Sequence, residues 1–273
     1  RMPRDDLPEA VTEWARQQPG YDRLARYYRG RHEFPFASWK FRQRYTWITE
    51  RARMNLMPAT VAAFTDRISI DSWTNADAIK DADINGLTRL AAAVHRGCWR
   101  DGDAFTITSQ LPSGQIRAVI QRPGSIVPHV DPDNPDVLDH ATKIWVDKQT
   151  RHARAAIYWP DRIERFISRL PLHDGSGHSL RDMPDKMIAW MPVPDEPVQP
   201  HNFGAVPVVW WKRDADTQTD KGVSILDQVI QTQDELNYYV ASTIIASERI
   251  SMPIRYALAD AAPPTTTGVT FDP

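Results

Sequence analysis

Val206 to Pro253, VPVVWWKRDADTQTDKGVSILDQVIQTQDELNYYVASTIIASERISMP, decides the architecture. Val206, Val208, Val209, Trp210 and Trp211 make a short, nearly continuous apolar run after Gly204, which reads as a buried strand. A polar loop follows. Ser224 and Asp227 then match the Ser-x-x-acid capping pattern, in which the hydroxyl takes an orphan backbone N–H of a helix's first turn. Pro253 closes the helix, because the residue before a proline is pushed out of the helical region. Between these signals lie roughly 27 residues, about 40 Å of helix.

The faces of this helix differ in chemistry. Ile225, Leu226, Val229, Ile230, Leu236, Val240 and Ile244 recur at helical spacing as an apolar packing stripe, interrupted at Gln233 and Asn237. Asp227, Gln228, Gln231, Asp234, Glu235 and Tyr238 fall on the other side. Ala241, Ser242, Ala246 and Ser247 are small enough for a neighbouring helix to come close. Periodicity alone leaves two readings open. One is an amphipathic helix packed on its own domain; the other is a helix packed against copies of itself, its polar face toward a solvent-filled channel.

Upstream, helices and short strands alternate in the manner of an α+β protein. LPEAVTEWARQQPGYDRLARYYRG reads as a helix broken at Pro19 and Gly20, then a second ending at Gly30. ATVAAFTDRISI predicts a helix running into a strand, and INGLTRLAAAVHRGCWRDGD a helix ending near Gly102. Strands are expected over 104–108, 116–121, 141–146 and 153–159, with antiparallel turns at Ser113-Gly114 and 147–150.

Composition bounds the function without naming it. With 41% hydrophobic and 25% charged residues, the 273-residue chain is typical of a globular protein. A formal net charge of −2 gives no concentrated positive surface for gripping phosphates. The single cysteine, Cys98, forms no intramolecular disulfide and suits a reducing compartment. His95 lies one helical turn from it, a spacing too common to mark a nucleophile. No run approaches the ~20 apolar residues of a membrane span, and no signal peptide is expected. The opening Arg1 is read as a trimmed start.

Motifs that would mark an enzyme are missing. There is no phosphate-binding Gly-x-x-x-x-Gly-Lys, dinucleotide Gly-x-Gly-x-x-Gly, His-Glu-x-x-His or Gly-x-Ser-x-Gly. Asp131, Asp133 and Asp136 in DPDNPD resemble a calcium loop but lack its sixth-position Gly and twelfth-position Glu, so they read as a solvated turn. His173 and His178 flank Asp-Gly-Ser-Gly and read as a hairpin tip rather than a metal site. Asp5, Asp6 and Glu9 complement a helix N-terminus. No metal or cofactor is expected.

Ten tryptophans allow a sugar- or base-stacking surface, yet Trp14, Trp47, Trp73, Trp99, Trp145, Trp159 and Trp210 sit in periodic apolar segments, which predicts core or subunit interface. The one basic cluster, Lys40, Arg42, Arg44, Arg51 and Arg53 in FASWKFRQRYTWITERAR, reads either as a partner-facing or DNA-brushing edge or as a solvated face.

The order of signals along nearly the whole chain resembles the amino-terminal half of tailed-phage portal proteins, of the kind found in phages and prophages of Gram-positive hosts. YDRLARYYRGRH (Tyr21 to His32) is similar to the family's helix ending in a Tyr-Tyr-x-Gly turn. NLMPATVAAFTDRISIDSW (Asn55 to Trp73) is similar to its Asn-led helix and following strand. RDGDAFTIT (Arg100 to Thr108) resembles the Gly-Asp-Ala turn, and AAIYWPDRIERF (Ala155 to Phe166) the Tyr-x-Pro-Asp hairpin. HNFGAVPVVWW, GVSILDQVIQTQDELN and SMPIRYAL resemble the Val-Pro strand, the Gly-x-Ser helix start and the Pro-led exit.

The resemblance implies an α+β wing domain over 1–221 with short antiparallel strands and helices, a first stem helix over 222–252, and the start of a clip over 253–273 that stops at Pro273. It implies a non-enzymatic subunit of a homo-oligomeric ring, commonly a dodecamer, at a capsid vertex of the virion, assembled in the host cytoplasm. Double-stranded DNA would pass through the ring without sequence-specific binding. The terminase large subunit, a head-tail adaptor and the major capsid protein would be partners; no membrane and no cofactor are implied. Asp227, Gln231, Asp234, Glu235 and Tyr238 become candidates for the channel-facing polar side. The rival readings are a Trp-rich carbohydrate-binding or hydrolytic domain without a recognisable motif, and a capsid-associated structural protein without a channel.

Overall fold

Leu7, Ala10, Val11 and Trp14 recur at helical spacing and are buried, so the first helix, α1 (Pro3–Tyr28), lays that stripe on a sheet. The computed structural model describes residues 3–32, 54–68, 85–171, 188–215 and 221–251. By its contacts the chain divides into two units, residues 1–33 with 54–233 and residues 34–53 with 234–273. Of the second unit only 234–251, the last two-thirds of the final helix, are described.

Among the described residues, four helices and nine strands alternate as an α+β chain. Helix α2 spans Met57–Thr65 and α3 spans Leu87–Asp101. Strands β1 (Asp103–Gln110), β2 (Ile116–Gln121) and β9 (Val208–Lys212) make a three-stranded antiparallel sheet in the order β2-β1-β9. Strands β3 (Ile126–Asp131), β4 (Asn134–Val146), β5 (Ala153–Tyr158), β6 (Arg162–Ser168) and β7 (Trp190–Pro192) make the larger sheet, and β8 (Val198–Pro200) also pairs with β6. The final helix, α4, spans Ile225–Ser251.

Alternation along the strands places the cores. Val127, Ile144, Ala155, Ile157 and Phe166 face α1. Ile126, Ala141, Ala156 and Tyr158 point the other way and meet Phe105 and Val208 of the smaller sheet. A third core joins Leu24 of α1, Met57 and Val61 of α2, and Ile225, Leu226 and Ile230 of α4. Each fully buried aliphatic side chain contributes about 1.5–3 kcal/mol, so this cluster holds the start of α4 firmly to the body.

Three expectations change. Pro19 and Gly20 do not break α1, which runs through both. Pro19 is exposed, and the helix is held on either side of it: Gln17 Nε2 donates to the Ile126 carbonyl at 3.1 Å, Gln18 donates to that of Gly124, and Leu24 is buried beyond. Tertiary contacts therefore outweigh the lost intrahelical bond. The strand after Gly204 is an edge strand, with Val209 42% and Trp211 43% exposed. Strand β4 begins at Asn134, well before the expected 141, because it pairs with β3, whose residues carry no alternating signal. The end of the ATVAAFTDRISI segment, where a strand is expected after α2, passes outside the described residues at 69, as do His173, His178 and the hairpin tip expected there.

The turns fall where their residues require. Gly114 has φ +85° in the β1–β2 turn, and Asp147 Oδ1 accepts from Gln149 N–H (2.9 Å) and Thr150 N–H (3.3 Å) between β4 and β5. Asp131 and Asp133 lie at the β3–β4 turn, where Asp131 Oδ1 accepts the Asp133 N–H at 2.9 Å.

Candidate functional site

The root of α4 is built at backbone level. Gly102 ends α3 with φ +86° and lies against Gly222, just before α4. A Cβ on either glycine would fall inside contact distance of the other's carbonyl oxygen. The backbone is laced across this contact: Arg213 N–H donates to Gly102 O at 2.9 Å, and Val223 N–H to Arg213 O at 2.8 Å. The Arg213 guanidinium donates to Val223 O at 2.6 Å and stands 4.6 Å from the centre of the Trp99 ring.

Asp103 is the hub beneath. It is 2% exposed; Oδ1 accepts from Gly222 N–H (2.9 Å) and Trp210 Nε1–H (2.8 Å), and Oδ2 from the Tyr21 hydroxyl (3.0 Å). Burial pushes its carboxyl above the ordinary range, against those three hydrogen bonds and the Lys221 charge. Burial and the Asp103 charge likewise raise the Tyr21 phenol well above its usual value, so it stays a donor. Lys221 ties the same turn to α1, donating to Glu13 Oε1 at 2.6 Å and Gln17 Oε1 at 3.1 Å.

Ser224 caps α4. Its hydroxyl accepts the Leu226 N–H at 3.0 Å and donates to Arg100 O at 2.5 Å, so the cap also fastens the helix to the end of α3. Asp227, the acid of the capping pattern, is exposed in the first turn, where its charge favours the macrodipole.

Two turns further, Gln233 imitates a strand. It is 1% exposed, donates to Met54 O at 2.7 Å and accepts the Leu56 N–H at 2.9 Å. Between these residues Asn55 donates to Tyr28 O at 3.0 Å and accepts Met57 N–H at 3.2 Å. Gly30, with φ +65°, closes α1 in a Schellman turn: Gly30 N–H donates to Tyr27 O and Arg31 N–H to Arg26 O. The Tyr-Tyr-x-Gly, Asn-led, Gly-Asp-Ala and Gly-x-Ser segments, far apart in sequence, thus meet around the first turns of α4.

Beyond Gln233, α4 shows three faces. Asp234, Asn237 and Ala241 continue the buried line. Asp227, Gln231, Glu235 and Tyr238 are exposed on one side, with Gln228 and Ser242 beside them. Asp234, expected on that side, is only 8% exposed: its rotation about the helix puts it next to Gln233 and Asn237. The third face is a heptad seam, Val229, Thr232, Leu236, Tyr239, Thr243, Ala246 and Ile250, in strict alternation of three and four residues. Its members are half-buried or exposed, and Tyr239 is 70% and Ile250 80% exposed. Of the expected packing stripe, Ile225, Leu226 and Ile230 are buried, whereas Val229, Leu236, Val240 and Ile244 are half-buried.

Lys40, Arg42, Arg44, Arg51 and Arg53 lie outside the described residues, as do Trp39, Trp47 and Trp73. Trp14 and Trp190 are buried; Trp99, Trp145, Trp159 and Trp210 are half-buried; Trp211 alone among the described tryptophans is more than a third exposed. Burial pushes the Cys98 thiol up to about 12, so it is not a thiolate nucleophile at neutral pH.

Nothing local in the sequence marks the roles of Asp103 and Lys221. Gln233 had a signal, a polar residue inside an apolar stripe. No protein-family model matches the chain, and no curated protein is detectably similar to it.

Proposed function

We propose that the chain is the wing and first stem helix of a phage portal subunit, a structural, non-enzymatic protein that forms a ring at the capsid vertex. The observation that carries this reading is α4: a 27-residue helix rooted in an α+β body and bearing, side by side, an acid-and-amide face and a heptad seam that packs on the core at Val229 and is exposed from Tyr239 onward. A seam with a 3.5-residue repeat fits another helix at a shallow crossing angle. In a ring, that helix is the α4 of the adjacent copy. The neighbouring face, with Asp227, Gln231, Glu235 and Tyr238, would then line the channel.

Such a lining suits DNA transport. Carboxylates and amides offer phosphates no counter-charge, so double-stranded DNA slides past rather than binding. The motor in this reading is a separate terminase; the chain's own task is to hold a channel and present docking surfaces to terminase, the head-tail adaptor and the capsid.

Native mass spectrometry and negative-stain electron microscopy of the chain, and of any longer natural form, test the proposal. Rings with a central hole support it. A strictly monomeric longer form at high concentration sinks it and turns attention to a glycan-binding or hydrolytic role.

A further inference from the structure

At the α1-facing side of the larger sheet, three aromatic rings form a column. His129 of β3 and His140 of β4 are directly opposed cross-strand partners, stacked 4.0 Å apart and 12° from parallel. His140 stacks in turn on Trp159, just after β5, at 4.5 Å. The Arg162 guanidinium lies 5.2 Å from the Trp159 ring centre. His140 Nδ1 is 2.9 Å from Asp139 Oδ2, so the neutral imidazole carries its proton on Nδ1 and leaves Nε2 as the acceptor.

Both Nε2 atoms, and Trp159 Nε1, are shut off from solvent without a hydrogen-bond partner among the described residues. The stacking also rules against a shared metal, since parallel imidazoles direct their lone pairs side by side rather than at one point.

We propose that the His129–His140–Trp159 column is an acid-sensitive clasp across β3, β4 and the end of β5, closed while the His129 imidazole is neutral and opened when it takes up a proton. A protonated His129 carries an N–H on Nε2 that meets neither water nor an acceptor, and its charge lies buried against the His140 ring. The charged groups nearby do not remove this penalty. Asp139 on β4, beside His140 Nδ1, and Glu13 on α1, held by Lys221 and Arg16, favour the charged His129 but do not outweigh its burial, and Arg162 and Lys221 are cations. His201 is occupied with the Trp159 carbonyl through Nε2 at 3.0 Å.

The direction is set by His129. Burial and the adjacent His140 push its imidazole down to about 4. A group whose folded value lies below its unfolded one, about 6.5, stabilises the closed form above that value and loses its contribution as pH falls toward the folded one.

Amide hydrogen exchange of the 273-residue chain, corrected for intrinsic rates, reads this directly. Between pH 8 and pH 5 the opening constant of β3 and the facing part of β4 should rise about 30-fold, as one such proton uptake requires. His129→Phe with His140→Phe keeps the rings and should abolish the rise. A rise that persists in that variant overturns the clasp. If the variant does not fold, the His129 ring titration by NMR in the unaltered chain decides: a midpoint near 4 upholds the proposal, and one near 6.5 overturns it.

Discussion

The two ends of α4 are held by different physics. Its first turns are fixed by backbone: two glycines in contact, a buried carboxylate accepting a main-chain N–H, a serine cap and a glutamine that pairs with a loop as a strand would. Its later turns hide a short polar line and leave an apolar seam in water. A region that must keep one geometry uses contacts that admit no substitute. A region that waits for a partner keeps side chains that cost the lone subunit little to expose. If this contrast is sound, equal-sized substitutions should have opposite outcomes at the two ends.

The largest effect is expected at the glycine contact. Gly102→Ala places a Cβ against the Gly222 carbonyl at a positive φ that L-residues rarely adopt, so neither rotation nor a flexible neighbour relieves it. The expected loss is at least about 3 kcal/mol, read as a fall in urea midpoint or as failure to fold. Gly20→Ala is the control: its Cβ meets nothing within 4 Å, and it lies inside α1, where alanine is the better helix former. Equal damage at the two sites would remove the special status given to the root.

Next is Gln233→Leu. Leucine fills much of the same buried space but abandons the Met54 carbonyl and the Leu56 N–H. Two main-chain groups losing their partners should cost about 2–4 kcal/mol in chemical denaturation. Gln233→Glu sharpens the point, because a carboxylate still accepts from Leu56 but cannot donate to Met54. A neutral Gln233→Leu would mean that the loop finds other partners and that the strand-like pairing is incidental.

These sites also show what the sequence could and could not tell. The helix ends at Gly30 and Gly102, the hairpin turns, the Ser224 cap and the length of α4 were legible, because each is a local preference written in adjacent residues. The register of β3 with β4 was not, since β3 carries a proline and two charged or titratable residues in place of a clean alternation. Asp103 was hidden for another reason. Its role comes from Gly222, Trp210 and Tyr21, each about 80 or more residues away, and no local pattern records that meeting. Asp234 and Glu235 show the limit of a helical wheel: adjacent acids differ by ~100° in direction, and without the neighbours in view the buried one cannot be told from the exposed one.

The smallest effect on the subunit itself should come from the seam, and there the contrast is most open to refutation. Tyr239→Ser with Ile250→Ser changes two side chains that are already 70% and 80% exposed. Stability of the isolated subunit should therefore move by no more than about 0.5 kcal/mol for each, with helicity unchanged by circular dichroism. Self-association, followed by sedimentation across a range of concentrations, should fall sharply if the heptad spacing serves a helix of another copy, since a and d positions dominate such contacts. Asp227→Ser with Gln231→Ser, on the neighbouring polar face, should leave association intact. Association that survives the seam change but not the polar-face change would exchange the roles of the two surfaces. A large loss of subunit stability from the seam change would mean that Tyr239 and Ile250 are structural after all, and that the two ends of α4 do not differ as described.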